Sequence, residues 1–128
     1  MKRGRIFYAT VTQGSTLRVQ NRLTTSDDAL LMQSDVNSWT LRVFKDGTLV
    51  KKLVDASTDA TDNFYDTLQT GSGWSEDSRG FNFQYVLDPA DIRLEGGNIY
   101  RFEFTAVTDD ETVKWVWQVR VDPWVGAT

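Results

Sequence analysis

Any bond-making chemistry in this chain falls to carboxylates, lysines and tyrosines, because its 128 residues include no histidine and no cysteine. Without a thiol there is no disulfide, no thiolate nucleophile and no zinc site built on sulfur. Without imidazole the usual general base and the Ser-His-Asp arrangement are both excluded. Two groups of carboxylates remain to be weighed. Glycoside hydrolysis needs a pair of them in environments that push their pKa values apart. Asp109, Asp110 and Glu111 are adjacent but fall between two strand-like runs, where water is not excluded, and Glu103 sits on the outward face of a strand pattern. Calcium needs several oxygens from a tight loop, usually two residues apart, with a turning glycine and a closing glutamate. Asp55, Asp59 and Asp62 are spaced by four and three, and the segment Asp55–Asn63 has neither glycine nor glutamate. We therefore expect a solvated loop, no metal, no cofactor and no enzymatic activity.

The elements that carry these residues alternate with period two, as half-buried strands do. Phe81, Phe83, Tyr85 and Leu87 form one apolar row, with Asn82 and Gln84 on the other face. Tyr100, Phe102, Phe104 and Ala106 form a second, opposed by Arg101, Glu103 and Thr105. Val113, Trp115, Trp117, Val119 and Val121 form a third. Shorter rows are Trp39, Leu41 and Val43, then Leu17, Val19 and Leu23, and weaker strands are expected around Ile6–Val11 and Asn63–Gln69. Asp46-Gly47 predicts a tight hairpin between Trp39–Phe44 and Thr48–Val54. Thr108–Glu111 predicts a second hairpin. Asp88-Pro89 reads as an N-cap and first helical position, so one short helical turn is expected near Asp88–Leu94, stopped by Gly96-Gly97. Seven to eight short, mostly antiparallel strands with one helical turn predict an all-β sandwich, as a single domain over 1–128.

Composition narrows the partners. The net charge of −4, from 18 acidic against 14 basic side chains, is the wrong sign for a nucleic-acid binder. No apolar run approaches the roughly 20 residues needed to span a bilayer, and the run after the basic Met1–Arg5 is too short for a signal peptide. Arg18, Gln20 and Arg22 on one strand and Arg42 on another would form a basic stripe if the strands were neighbours; pairing with Glu103 or nearby aspartates is the simpler expectation.

Of five tryptophans, Trp39, Trp115 and Trp117 lie in apolar rows and are expected in the core, not on a sugar-stacking platform. Trp74, in Gly71–Ser75, and Trp124, after the last strand, stand outside those rows. They are expected either to plug the ends of the sandwich or to meet a partner. With the basic Arg3 and Arg5, they are the candidate partner-binding residues.

The order of motifs resembles a family. Thr10-Val11-Thr12-Gln13-Gly14-Ser15-Thr16 is similar to the opening "V-x-Q-G-D-T" of the Ig-like β-sandwich domain of phage virion proteins, as at the N-terminus of phage baseplate upper proteins. Ser34–Val43, Tyr85–Asp91 and Gly97–Phe104 resemble the loop-to-strand, Asp-Pro turn and turn-to-strand segments that follow in that family, and the closing strand resembles Val113–Val121. Here Ser15 stands where an acidic residue is usual, and the middle, Asp55–Ser78, is longer. With no fibre or coiled coil after the sandwich, the resemblance implies an accessory virion protein. The expected role is capsid decoration or cement, binding the major capsid protein or another virion protein as a homo-oligomer or many-copy array on the particle exterior. A tail, baseplate or head–tail connector component, or a sugar-binding host-attachment module, is the alternative expectation. From the aspartate spacing, calcium titrated into the protein in a calorimeter is expected to give no binding heat, and a saturable isotherm would contradict that reading.

Overall fold

A computed structural model of the protein describes residues 5–45, 47–55, 63–71, 73–87 and 92–124. The described strands are β1 (Arg5–Thr12), β2 (Leu17–Asn21), β3 (Ser38–Lys45), β4 (Thr48–Asp55), β5 (Phe64–Gln69), β6 (Phe81–Leu87), β7 (Asn98–Val107) and β8 (Thr112–Asp122). They form a five-stranded sheet in the order β1-β8-β7-β3-β4 and a three-stranded sheet in the order β2-β6-β5. All pairings are antiparallel except β1 with β8, which is parallel.

The apolar rows meet between the sheets. Leu41, Val43, Phe102, Phe104, Ala106, Trp115 and Val119 from one sheet face Leu17, Val19, Phe64, Phe83 and Leu87 from the other, all buried. The turn chemistry also acts as expected. Lys45 pairs with Thr48 across the tight β3–β4 connection, with Gly47 at positive φ. Thr108 N–H donates to the Glu111 carbonyl at 2.8 Å, closing the β7–β8 hairpin. Ser15 N–H donates to the Thr12 carbonyl, and Gly14 supplies the positive φ that this turn needs at its third position. Gln13, in the same turn, accepts the Gly96 N–H on its side-chain oxygen at 3.0 Å and ties the β1–β2 corner to the segment before β7.

Two expectations need correction or limits. Over the segment Asp88–Leu94, residues 88–91 lie outside the described residues, and Ile92–Leu94 is neither helix nor strand, with Ile92 and Leu94 buried. The helical turn that is described is a single 3-10 turn at Gln33–Asp35. Asn82, read from alternation as outward and polar, is buried, because the segment from Leu23 to Leu31 folds over it. Its amide donates to the Leu23 and Leu31 carbonyls at 2.9 and 2.7 Å and accepts the Leu23 N–H at 2.7 Å. One side chain thus satisfies the Leu23 N–H and the Leu31 carbonyl, and shares the Leu23 carbonyl with the Leu31 N–H.

The topology defines the class. β3, β7 and β8 stand where an immunoglobulin domain has strands C, F and G, with β4 as C′, and β2, β5 and β6 stand for B, D and E. Buried Trp39 on β3 takes the place of the Trp of strand C, and the Tyr100 hydroxyl, at the start of the F-like strand, accepts the Glu95 N–H at 2.9 Å, which is the tyrosine corner. Where antibody domains carry an inter-sheet disulfide, this chain has only apolar side chains, among them Val19 and Phe102. The protein is an all-β, Ig-like sandwich. Replacing Asn82 by Ala leaves buried backbone groups unpaired and is expected to lower stability by about 2–4 kcal/mol, read as a shift of the urea unfolding midpoint; an unchanged midpoint would refute the role given to it.

Candidate functional site

Alternation sends the other half of each strand outward, and on the five-stranded sheet that half mixes exposed apolar side chains with charged ones. Register places Ile6, Val116, Glu103 and Arg42 in one row across β1, β8, β7 and β3. The next row reads Tyr8, Gln118, Arg101 and Phe44, continuing to Leu49 on β4. Tyr8 is 70% exposed, Ile6 51%, and Ile99 and Leu49 48% each. At the middle of this face the Arg101 Nε donates to the Glu103 carboxylate at 2.7 Å. Shallow hollows flank that pair: about 390 Å³ bordered by Arg42, Thr105, Lys114 and Val116, and about 420 Å³ bordered by Phe44, Ile99 and Gln118. Aliphatic and aromatic groups around a central ion pair make a surface suited to contact. The three-stranded sheet presents a more polar outer face, with Gln20 and Gln84 hydrogen-bonded at 2.7 Å.

The residues singled out from sequence are dispersed. Arg3 lies outside the described residues. Arg5 opens β1, exposed, with its guanidinium 3.5 Å from the Thr24 hydroxyl. Trp124 follows β8 and is 68% exposed. Since Arg5 is in register with Trp115 and Thr12 with Asp122, Arg5 and Trp124 stand at opposite ends of the β1–β8 pair, about 25 Å apart at strand rise. Trp74 is elsewhere again: its ring lies 5.6 Å from that of Phe81, and its indole N–H donates to the Asp77 carbonyl and carboxylate at 3.1 and 3.3 Å.

Asp77 organises that loop, a role that its surroundings of Gly, Ser and Glu do not announce. One carboxylate oxygen accepts Arg22 at 2.7 Å, and the other accepts the Arg79 and Gly80 N–H groups at 2.9 and 3.2 Å. The Arg22 guanidinium foremost, then those N–H groups and the Trp74 indole, hold the Asp77 carboxyl well below the usual carboxylate range, against the opposing effect of its partial burial. Gly80 closes the loop at φ +106, where a Cβ would stand 2.1 Å from the Gln69 carbonyl oxygen.

The acidic hairpin tip weighed for catalysis is engaged in ties between loops. Glu111 accepts the Ser26 N–H and hydroxyl at 3.0 and 3.1 Å, and Asp109 accepts the Asn37 amide at 2.7 Å. Among the described residues no three metal-ligating side chains gather as a cation site requires; the acidic stretch weighed for calcium lies, over 56–62, outside them. Among the same residues no helix is long and apolar enough to cross a membrane. Arg18 and Arg42 belong to different sheets, so the basic stripe does not form, and Arg42 is in register with Glu103.

No protein-family model matches the sequence, and no curated protein is similar to it. Among solved structures, the extracellular domains 3–5 of Drosophila OTK are similar at 13% identity and a TM-score of 0.35, over 92% of this chain and 33% of that one. The chain thus spans about a third of the length of that structure.

The Asp77 hub sets a pH response. Its contribution to stability is complete above the ordinary aspartate range, begins to decline below about pH 4 and is lost as pH falls through the lowered folded value. Trp74 emission, taken as the difference between the protein and Trp74→Phe, is expected to stay blue-shifted below pH 4 and to move red at neutral pH in Asp77→Ala. Equal spectra for Asp77→Ala and the parent would contradict the hub.

Proposed function

We propose that this chain is a non-enzymatic structural protein of a bacteriophage virion, a decoration or cement protein that binds the outside of the assembled head. The observation that carries the reading is the outer face of the five-stranded sheet, where Ile6, Tyr8, Leu49 and Ile99 stand exposed around the Arg101–Glu103 pair. Exposed apolar side chains interspersed with a few charged ones are common in contact surfaces, and Trp124, after β8, is a further exposed aromatic. The virion assignment draws on the motif order from Thr10 to Val121, in which Gln13 and Gly14 shape the first corner.

The mechanism is mass action. A protein that binds the assembled shell and not its separated subunits stabilises the shell by RT ln(1 + [L]/Kd) at each site. At a free concentration a hundred times Kd this is about 2.7 kcal/mol per site, so many weak contacts add to a large reserve against disassembly. Catalysis has no part in it; shape, apolar area and placement of the ion pair do the work. In particles purified from the source phage, gel quantitation against the major capsid protein is expected to give at least one copy per capsomer. Six or twelve copies per particle, or none, would overturn the decoration reading.

A further inference from the structure

We propose that β1 is a docking edge for a second copy of this chain, the two β1 strands pairing antiparallel about a two-fold axis at Tyr8 so that two five-stranded sheets become one. β1 runs in unbroken register with β8, from Arg5 opposite Trp115 to Thr12 opposite Asp122. Gln13 N–H donates to the Asp122 carbonyl at 2.9 Å, and in a parallel ladder alternate residues turn both backbone groups to the same neighbour. Phe7, Ala9 and Val11 therefore bond to β8, while Ile6, Tyr8 and Thr10 turn their N–H and C=O groups to the free edge. Among the described residues nothing hydrogen-bonds to those groups.

An open edge is a template for another strand unless charge, proline, a bulge or irregularity blunts it. Three of the four edges are blunted. β4 pairs with β3 irregularly, its register shifting between Val43 and Phe44. β2 is only five residues long and carries Arg18. β5 carries Asp66 and pairs irregularly with β6. β1 has eight residues, no break in register, no proline and a single charge, Arg5, at its first position. It also bears Tyr8 and Ile6, among the most exposed large apolar side chains in the described residues.

Self-complementarity selects a second copy as the occupant. With Tyr8 opposite the partner's Tyr8, Ile6 falls opposite the partner's Thr10, so outward-turned groups meet outward-turned groups on both sides of the axis. Phe7 falls opposite the partner's Ala9 and Arg5 opposite the partner's Val11. No like charges face each other, as an isologous contact requires. The inference deepens the many-copy reading above by naming the contact between copies, and it rests on that reading only for its place in the particle.

Sedimentation equilibrium of the purified full chain over ~10–200 µM tests it. The parent is expected to form dimers. Thr10→Pro removes an outward N–H and leaves the bonds to β8, and Tyr8→Lys sets like charges opposite each other at the axis. Each is expected to weaken dimerisation at least tenfold, with far-UV circular dichroism and the unfolding midpoint close to the parent's. A monomeric parent, or a dimer that survives both substitutions, overturns the proposal; if Thr10→Pro does not fold, Tyr8→Lys decides alone. A dimer lost on Tyr8→Lys in a chain absent from particles would sink the decoration reading and leave the pairing intact.

Discussion

The rest of the molecule depends on an aromatic cluster that holds the two sheets together. Trp115 stacks on Phe104 at 5.4 Å with nearly parallel planes and meets Phe83 and Phe64 edge-on at 5.0 and 6.2 Å. Trp39 meets Phe64, Phe83 and Tyr85 edge-on at 6.0 to 6.4 Å. The indoles and Phe104 come from the larger sheet and Phe64, Phe83 and Tyr85 from the smaller, so every one of these inter-sheet contacts resists separation. Each ring buries about 150–250 Å², and edge-to-face pairs add about 0.5–1.5 kcal/mol beyond area. In a chain without cysteine this cluster, with no disulfide to help it, holds the sheets together.

A core so well supplied with rings draws on the inward halves of the strands. On the larger sheet the outward halves carry Ile6, Tyr8, Ile99 and Leu49, whose exposure brings the fold nothing. The polar ties that position the connections are spent elsewhere: Asn82 under the Leu23–Leu31 segment, Asp77 under Trp74, and Glu111 and Asp109 at the β7–β8 corner. The exposed apolar side chains of the larger sheet and the ties that hold the connections thus involve different residues.

Period-two alternation made most of the strands legible, because half-burial imposes that pattern directly. Phe81–Leu87 is a strand with the bounds alternation gives it, and Tyr100–Ala106 and Val113–Val121 each extend by only one or two residues at either end. Asn82 defeats alternation because what covers it comes from a distant loop, and no periodicity carries that information. The parallel β1–β8 pairing joins the two ends of the sandwich in sequence, and strand pattern alone does not name a strand's neighbour. Single residues fared unevenly for the same reason. Trp74 and Trp124 look alike in sequence, both aromatic and both outside the apolar rows, yet one is held by Asp77 and Phe81 while the other stands exposed. Asp77 itself resembles any loop aspartate until Arg22 arrives from β2's end.

The central claim is that this sandwich works by presenting the larger sheet, its outer face and its β1 edge, to other proteins of a particle. A cryo-EM reconstruction of the purified particle tests it most directly. The account predicts sandwiches on the outside of the head, with the face bearing Tyr8, Ile99 and Leu49 turned to a neighbouring protein. Sandwiches seated through the three-stranded sheet, with that face open to solvent, would contradict it.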